Sequence, residues 1–198
     1  MKKYSVILII IFFFANALHA QEFGKDISAA KASYTSGNLA DAHFSLEQAI
    51  QELDMIVGKQ VLDILPKDFN GLAADEKNDQ VAANVGFVGA TVHRQYGDKG
   101  SEVEIISNSP MIATLNSLLN MPVFGGMMRD ANTKVVKVNG YKARLEKNGD
   151  NTDGTTNYTL QIPLKSALIS VTAKGMDENK VLSFANSIPI EQISKLIE

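Results

Sequence analysis

From residue 86 onward the apolar side chains fall on every second position, interrupted by short runs that suit tight turns. Val88, Ala90, Val92 and Tyr96 alternate with Phe87, Thr91, His93 and Gln95; after Gly97-Asp98-Lys99-Gly100, Val103 and Ile105 alternate with Glu102 and Glu104. A period of two sends successive side chains to opposite faces of a strand, so one face of each segment is apolar and must be covered. A four-residue turn places Val92 opposite Ile105 and His93 opposite Glu104, with the apolar pair inward and the polar pair outward. Asn139-Gly140 joins a second pair of runs, 134–138 and 141–147. Asn-Gly between alternating runs is the strongest short hairpin signal, because both residues accept positive φ. Segments 157–164 and 167–173 form a third hairpin, with Tyr158, Leu160 and Ile162 facing Ile169, Val171 and Ala173. Strands joined by turns this short pair antiparallel.

The rest of the chain reads as helix and connector. Residues 24–65 carry small side chains up to Tyr34, a turn at Ser36-Gly37-Asn38, and then Leu39, Ala42, Leu46, Ala49, Ile50, Leu53, Ile56 and Val57 at steps of three and four. That spacing predicts a helical hairpin whose second helix is amphipathic, runs on through Gly58 with Val61, Leu62 and Leu65, and stops at Pro66. Residues 66–80 read as a polar connector in which Phe69 and Leu72 tuck against the core and Asp75, Glu76 and Asp79 are solvated. Ser109-Pro110 opens a helix over 111–120, 148–155 is a loop, and two more helices follow over 177–187 and 190–197. The expected class is α+β: an antiparallel sheet of about six strands covered by helices, with an N-terminal helical hairpin. The corresponding division is 1–20 leader, 21–65 hairpin and 66–198 sheet domain.

The leader is read from order and length. Lys2 and Lys3 precede the ten apolar residues 6–15, and Asn16–Ala20 ends in a small residue before Gln21-Glu22. This is the layout of a secretory signal peptide, with cleavage expected after Ala20 or, alternatively, Ala17. A membrane span needs about twenty apolar residues. The expected location is therefore exported, periplasmic or secreted, with no stable membrane insertion after cleavage. Without Lys2 and Lys3, 17 basic side chains face 22 acidic ones, which offers no electrostatic footprint for nucleic acid. The chain has no Cys, so neither disulfides nor lipid attachment to a cysteine is open to it.

Two resemblances rest on particular residues. Tyr34–Ile50, with Gly37, Ala42, Leu46 and Ala49, resembles one tetratricopeptide unit; an array needs about three, so a single hairpin is expected. Leu65-Pro66, the hairpin over 88–106, Val138-Asn139-Gly140-Tyr141-Lys142-Ala143 and the closing segment 181–188 resemble the PsbP-like α/β/α sandwich and exported bacterial proteins that pair it with an N-terminal helix. That resemblance implies an accessory or binding role and brings no catalytic motif.

Reactive chemistry is sparse in the sequence. No thiol, nucleophile elbow, phosphate loop or dinucleotide fingerprint is present. His43 sits one turn before Glu47, and His93 opposite Glu104; neither position suggests more than an ion pair. The loop 148–154 is rich in Asn, Asp and Gly but lacks the calcium-loop register, and Glu102 with Glu104 reads as a solvated strand face. No cofactor and no metal are expected. The unusual region is 111–128, which holds Met111, Met121, Met127 and Met128 beside Leu115, Leu118 and Phe124. Methionine suits adaptable apolar contacts. These seven residues are the candidate contact site for a protein partner or an apolar ligand in the cell envelope. Core packing and thioether binding of Cu(I) are competing uses of the same residues. The expected role is a non-catalytic binding or accessory protein acting through protein contacts. The alternatives are a carrier holding an apolar small molecule or lipid under 111–128, and an enzyme of unrecognised type.

Overall fold

A computed structural model describes residues 22–84, 89–98, 100–120, 132–150 and 156–197. Its contacts divide the chain within one long helix into two units, Met1–Ile56 and Val57–Glu198.

The described part of the first unit is a helical hairpin. Helix α1 covers 22–35, and α2 covers Leu39–Ile64, running through Gly58 without a break. Gly37 closes α1 at φ 81°, where the Gly37 amide donates to the Tyr34 carbonyl (3.1 Å) and the Asn38 amide to that of Ser33 (2.9 Å). Asn38 then caps α2: its Oδ1 accepts from the Asp41 amide (3.3 Å), and its Nδ2 donates to the Asp41 carboxylate (2.5 Å).

The second unit is built on two sheets. Strands β1 (Asp68–Phe69) and β2 (Leu72–Ala73) form a small hairpin around Asn70-Gly71. A 3₁₀ turn at Glu76–Asn78 follows. Seven strands then make the main sheet: β3 (Gln80–Ala83), β4 (Ala90–Tyr96), β5 (Ser101–Ser107), β6 (Thr133–Val138), β7 (Tyr141–Asp150), β8 (Thr156–Pro163) and β9 (Ala167–Met176). Helix α3 (Met111–Asn120) lies between β5 and β6, and α4 (Glu178–Ser187) and α5 (Ile190–Ile197) close the chain. The spatial order is β3-β4-β5-β9-β8-β7-β6, every pair antiparallel. The chain thus leaves β5, starts again at the far edge with β6, and meanders back until β9 pairs β5.

The expected α+β architecture is present, and the expected registers hold. Val92 pairs Ile105 and His93 pairs Glu104; Val138 pairs Tyr141 across Asn139-Gly140, with φ of 48° and 87°; Leu160 pairs Val171 and Ile162 pairs Ile169. Two details are corrected. The main sheet has seven strands, in line with the expected number of about six, but its edge strand Gln80–Ala83 pairs β4, whereas Gln80 was read as the end of the polar connector. Residues 148–150, expected to open a loop, belong to β7, which reaches Asp150; the rest of that expected loop, 151–155, lies outside the described residues.

One face of the main sheet carries the core. Val92, Val103, Ile105, Leu145, Leu160, Ile162, Ile169 and Val171 pack with Val61 and Leu62 of α2 and Leu65 just beyond it, Val181 and Phe184 of α4, and Ile190 and Ile193 of α5. Phe69 stacks on Phe184 (3.6 Å between ring centres), and Tyr96 meets both rings edge-on. The other face carries a smaller apolar cover. Leu168, one residue from inward-facing Ile169, is buried, as are Leu115 and Leu119 of α3. Lys142, next to inward-facing Ala143, donates to the Leu119 carbonyl (3.2 Å) and to Asn120 Oδ1 (2.9 Å). Helix α3 therefore lies on the side of the sheet opposite α4 and α5.

Candidate functional site

The sequence-derived contact residues are only partly gathered by the fold. Helix α3 buries Leu115, half-buries Leu118 and leaves Met111 half exposed at 50%. Its apolar stripe is spent on covering the sheet, and Ser109 Oγ accepts from the Met111 amide to start the helix. Met121, Phe124, Met127 and Met128 lie outside the described residues.

The polar face of the sheet satisfies its own charges. His93 lies directly across from Glu104, yet its Nε2 bonds the diagonal neighbour Glu102 (3.1 Å), and its Nδ1 is buried without a partner. Arg144 donates to Gln161 (3.1 Å) and pairs with Glu146 (2.8 Å). His43 pairs with Glu47 one turn along α2 (3.4 Å). Among the described residues no three His, Cys, Asp or Glu side chains converge as metal ligands. No helix among them is long and apolar enough to cross a membrane. Two open depressions lie on the surface of the described residues, one of about 470 Å³ against Ser28, Ala32 and Thr35 and one of about 410 Å³ against Asn139, Tyr141, Ile188 and Gln192.

One buried polar group escaped the sequence reading. Arg94 is 4% exposed and lies on the inward face of β4 between Val92 and Tyr96. Its Nε and Nη2 bond the two oxygens of Asp79 (2.9 and 2.5 Å), and Nη1 donates to the Leu65 carbonyl at the end of α2 (3.2 Å). The hydrogen bonds to Asp79 outweigh burial and raise the guanidinium above its ordinary pKa. Asp79 is therefore not solvated as expected; it balances a charge in the core. The signal was in the parity: a residue two places from Val92 and two from Tyr96 must point inward, and an inward Arg needs a carboxylate.

The feature that stands apart from normal packing is the hairpin. Among its described residues up to Ile56 the buried side chains are all alanines, Ala30 on α1 and Ala42 and Ala49 on α2. Of the nine large apolar side chains left exposed among the described residues, seven belong to it: Ile27, Tyr34, Leu39, Phe44, Leu46, Ile50 and Leu53. The amphipathic stripe of α2 is thus split along its length. Its alanine edge is buried, and its leucine edge faces solvent at 64% (Leu39), 47% (Leu46), 40% (Ile50) and 48% (Leu53). Single exposed apolar residues are ordinary, but a contiguous row of them marks a contact surface. The chain matches no protein-family model, no curated protein and no solved structure.

Proposed function

We propose that this is an exported, non-catalytic accessory protein whose helical hairpin docks another protein chain. The observation that carries the reading is the inverted packing of the hairpin, which buries Ala30, Ala42 and Ala49 and presents Leu39, Leu46, Ile50 and Leu53. Exposing leucine rather than alanine forfeits about 25 cal/mol for each Å² of apolar surface, and covering the stripe recovers it. The leader-like order of residues 1–20 supports a location in the periplasm or outside the cell, and the single tetratricopeptide-like unit fits a helical pair that completes its packing on a partner. The likeness of the sheet unit to PsbP-like sandwiches belongs to the same proposal, as a scaffold that carries the docking element.

A photoreactive residue placed at Leu39 or Leu46 in cells that export the protein tests this reading. A covalent adduct with a second polypeptide is expected at both positions and not at Lys165, an exposed polar site on the sheet unit. Adducts at neither hairpin position would end the proposal.

A further inference from the structure

Resting on that docking reading, we infer that the occupant of the stripe is a second copy of this chain, α2 pairing with α2 in parallel. Leu39, His43, Leu46, Ile50 and Leu53 follow one another at alternating steps of four and three. That is the spacing of the two core positions of a coiled-coil heptad, with Leu39, Leu46 and Leu53 in one position and His43 and Ile50 in the other. Leucine at the first with a β-branched residue at the second is the combination that favours two parallel strands. A polar residue at one core position, here His43, restricts register and chain number at some cost in stability. The pattern is self-complementary, as a two-fold interface requires, because one patch must serve both partners.

The charges beside the stripe choose the direction. Glu47 and Asp54 flank it on one side, and Ala42 and Ala49 on the other. Parallel helices keep the two carboxylate flanks on opposite sides of the seam, while Ala42 and Ala49 are already buried and take no part in the contact. Antiparallel helices would bring the two carboxylate flanks together, and like charges repel. The area is adequate for a modest dimer. Four side chains exposed by two-fifths to two-thirds leave on the order of 400 Å² of apolar surface on each chain. Two copies bury about twice that, on the order of 800 Å², which is below the ~1,200 Å² of standard specific interfaces and in the range of weak, reversible ones. The paired segment spans 39–53, about 21 Å of helix.

The absence of native cysteine makes the test clean, since one introduced thiol is the sole thiol. The full-length chain is expressed in an exporting bacterial host and recovered from the envelope, its N-terminus read by intact mass. Leu39→Cys and Leu46→Cys are each expected to oxidise to a product of twice the chain mass, while Lys165→Cys does not. By sedimentation equilibrium the unmodified protein forms a dimer, and Leu46→Glu with Leu53→Glu weakens it at least tenfold without changing the far-ultraviolet circular dichroism. Cross-linking through Leu46→Cys but not Leu39→Cys would show antiparallel pairing and overturn the inference. So would a chain that sediments as a monomer at every concentration. If that monomer still gives photo-adducts from Leu46 to a polypeptide of different mass, the docking role survives and self-pairing falls. If it gives none, both fall.

Discussion

At the scale of single residues, Arg94 shows how the core tolerates a charge. A buried ion pair is costly to desolvate, and its geometry decides whether it can be kept. Here two charge-assisted hydrogen bonds to Asp79 and a third to the Leu65 carbonyl use the guanidinium on three sides. Removing one partner strands the other. Asp79→Ala should therefore destabilise the protein by about 3–5 kcal/mol in a denaturant titration, and Asp79→Ala combined with Arg94→Met should recover much of that loss. A double variant as unstable as the sum of the single ones would mean that the pair is not coupled. Two places along the same strand, Tyr96 is fully buried and donates its hydroxyl to the Pro66 carbonyl (2.7 Å). Burial pushes its pKa from 10 up to about 12, against the opposing pull of Arg94. The unfolded chain loses this proton first. Stability is then full below pH 10 and declines as pH rises towards 12, by about 2–3 kcal/mol over that window. In Tyr96→Phe that share of the alkaline loss should vanish, while a deficit of about 1 kcal/mol from the unpaired carbonyl persists at neutral pH. Urea midpoints measured from pH 8 to 12 would separate the two effects.

At the scale of elements, legibility followed periodicity. The registers of β4 with β5, β6 with β7 and β8 with β9 were readable because each pair is joined by a short turn and each strand alternates cleanly. Strand β3 was not, since four residues, Gln80–Ala83, are too short for a pattern and gain their order only by pairing β4. The pairing of β5 with β9 joins residues 60 to 70 positions apart, from Ser107 with Ala167 to Glu102 with Thr172, and no local signal specifies it. For α2 the helix was legible but the side it buries was not. Ala42 and Leu46 both belong to one amphipathic stripe, and the choice to bury the alanines is made by packing rather than by propensity. The Asn139-Gly140 turn was the clearest local signal, yet its second role was invisible. The Asn139 amide donates to Asn186 Oδ1 (2.9 Å), and its side chain donates to the carbonyls of Asn186 and Ile188 (3.2 and 3.1 Å), tying the β6–β7 turn to the end of α4. Asn139→Gly keeps the backbone conformation and loses these side-chain bonds. It should cost about 1–2 kcal/mol, whereas Gly140→Ala, strained at φ 87° but linked to nothing, should cost about 1 kcal/mol. Thermal denaturation of the two variants would rank them, and the reverse order would show that the turn serves β6 and β7 alone.

At the scale of the whole molecule, the two units are stabilised by different amounts of buried surface. The sheet unit closes a continuous core from Val61 to Ile193, with an aromatic cluster of Phe69, Tyr96 and Phe184. The described hairpin buries three alanines. Local opening is easiest where few apolar contacts oppose it, so stability should fall along α2 itself. Peptides from its last two turns, near Val61 and Leu62, should exchange their amide hydrogens as slowly as those of β5, β8 and β9, by global unfolding alone. Peptides from α1 and from the first half of α2 should exchange at least a hundred times faster at low protein concentration, because opening a surface helix needs only a few kcal/mol. Time-resolved hydrogen exchange with mass analysis gives both rates in one sample. Equal protection along the whole of α2 would mean that the hairpin unfolds with the sheet, and the exposed leucines would then have to be held by contacts other than those its own alanines supply. A steep step within α2 would instead identify the hairpin as the adjustable part of the protein, free to order further when its apolar stripe is covered.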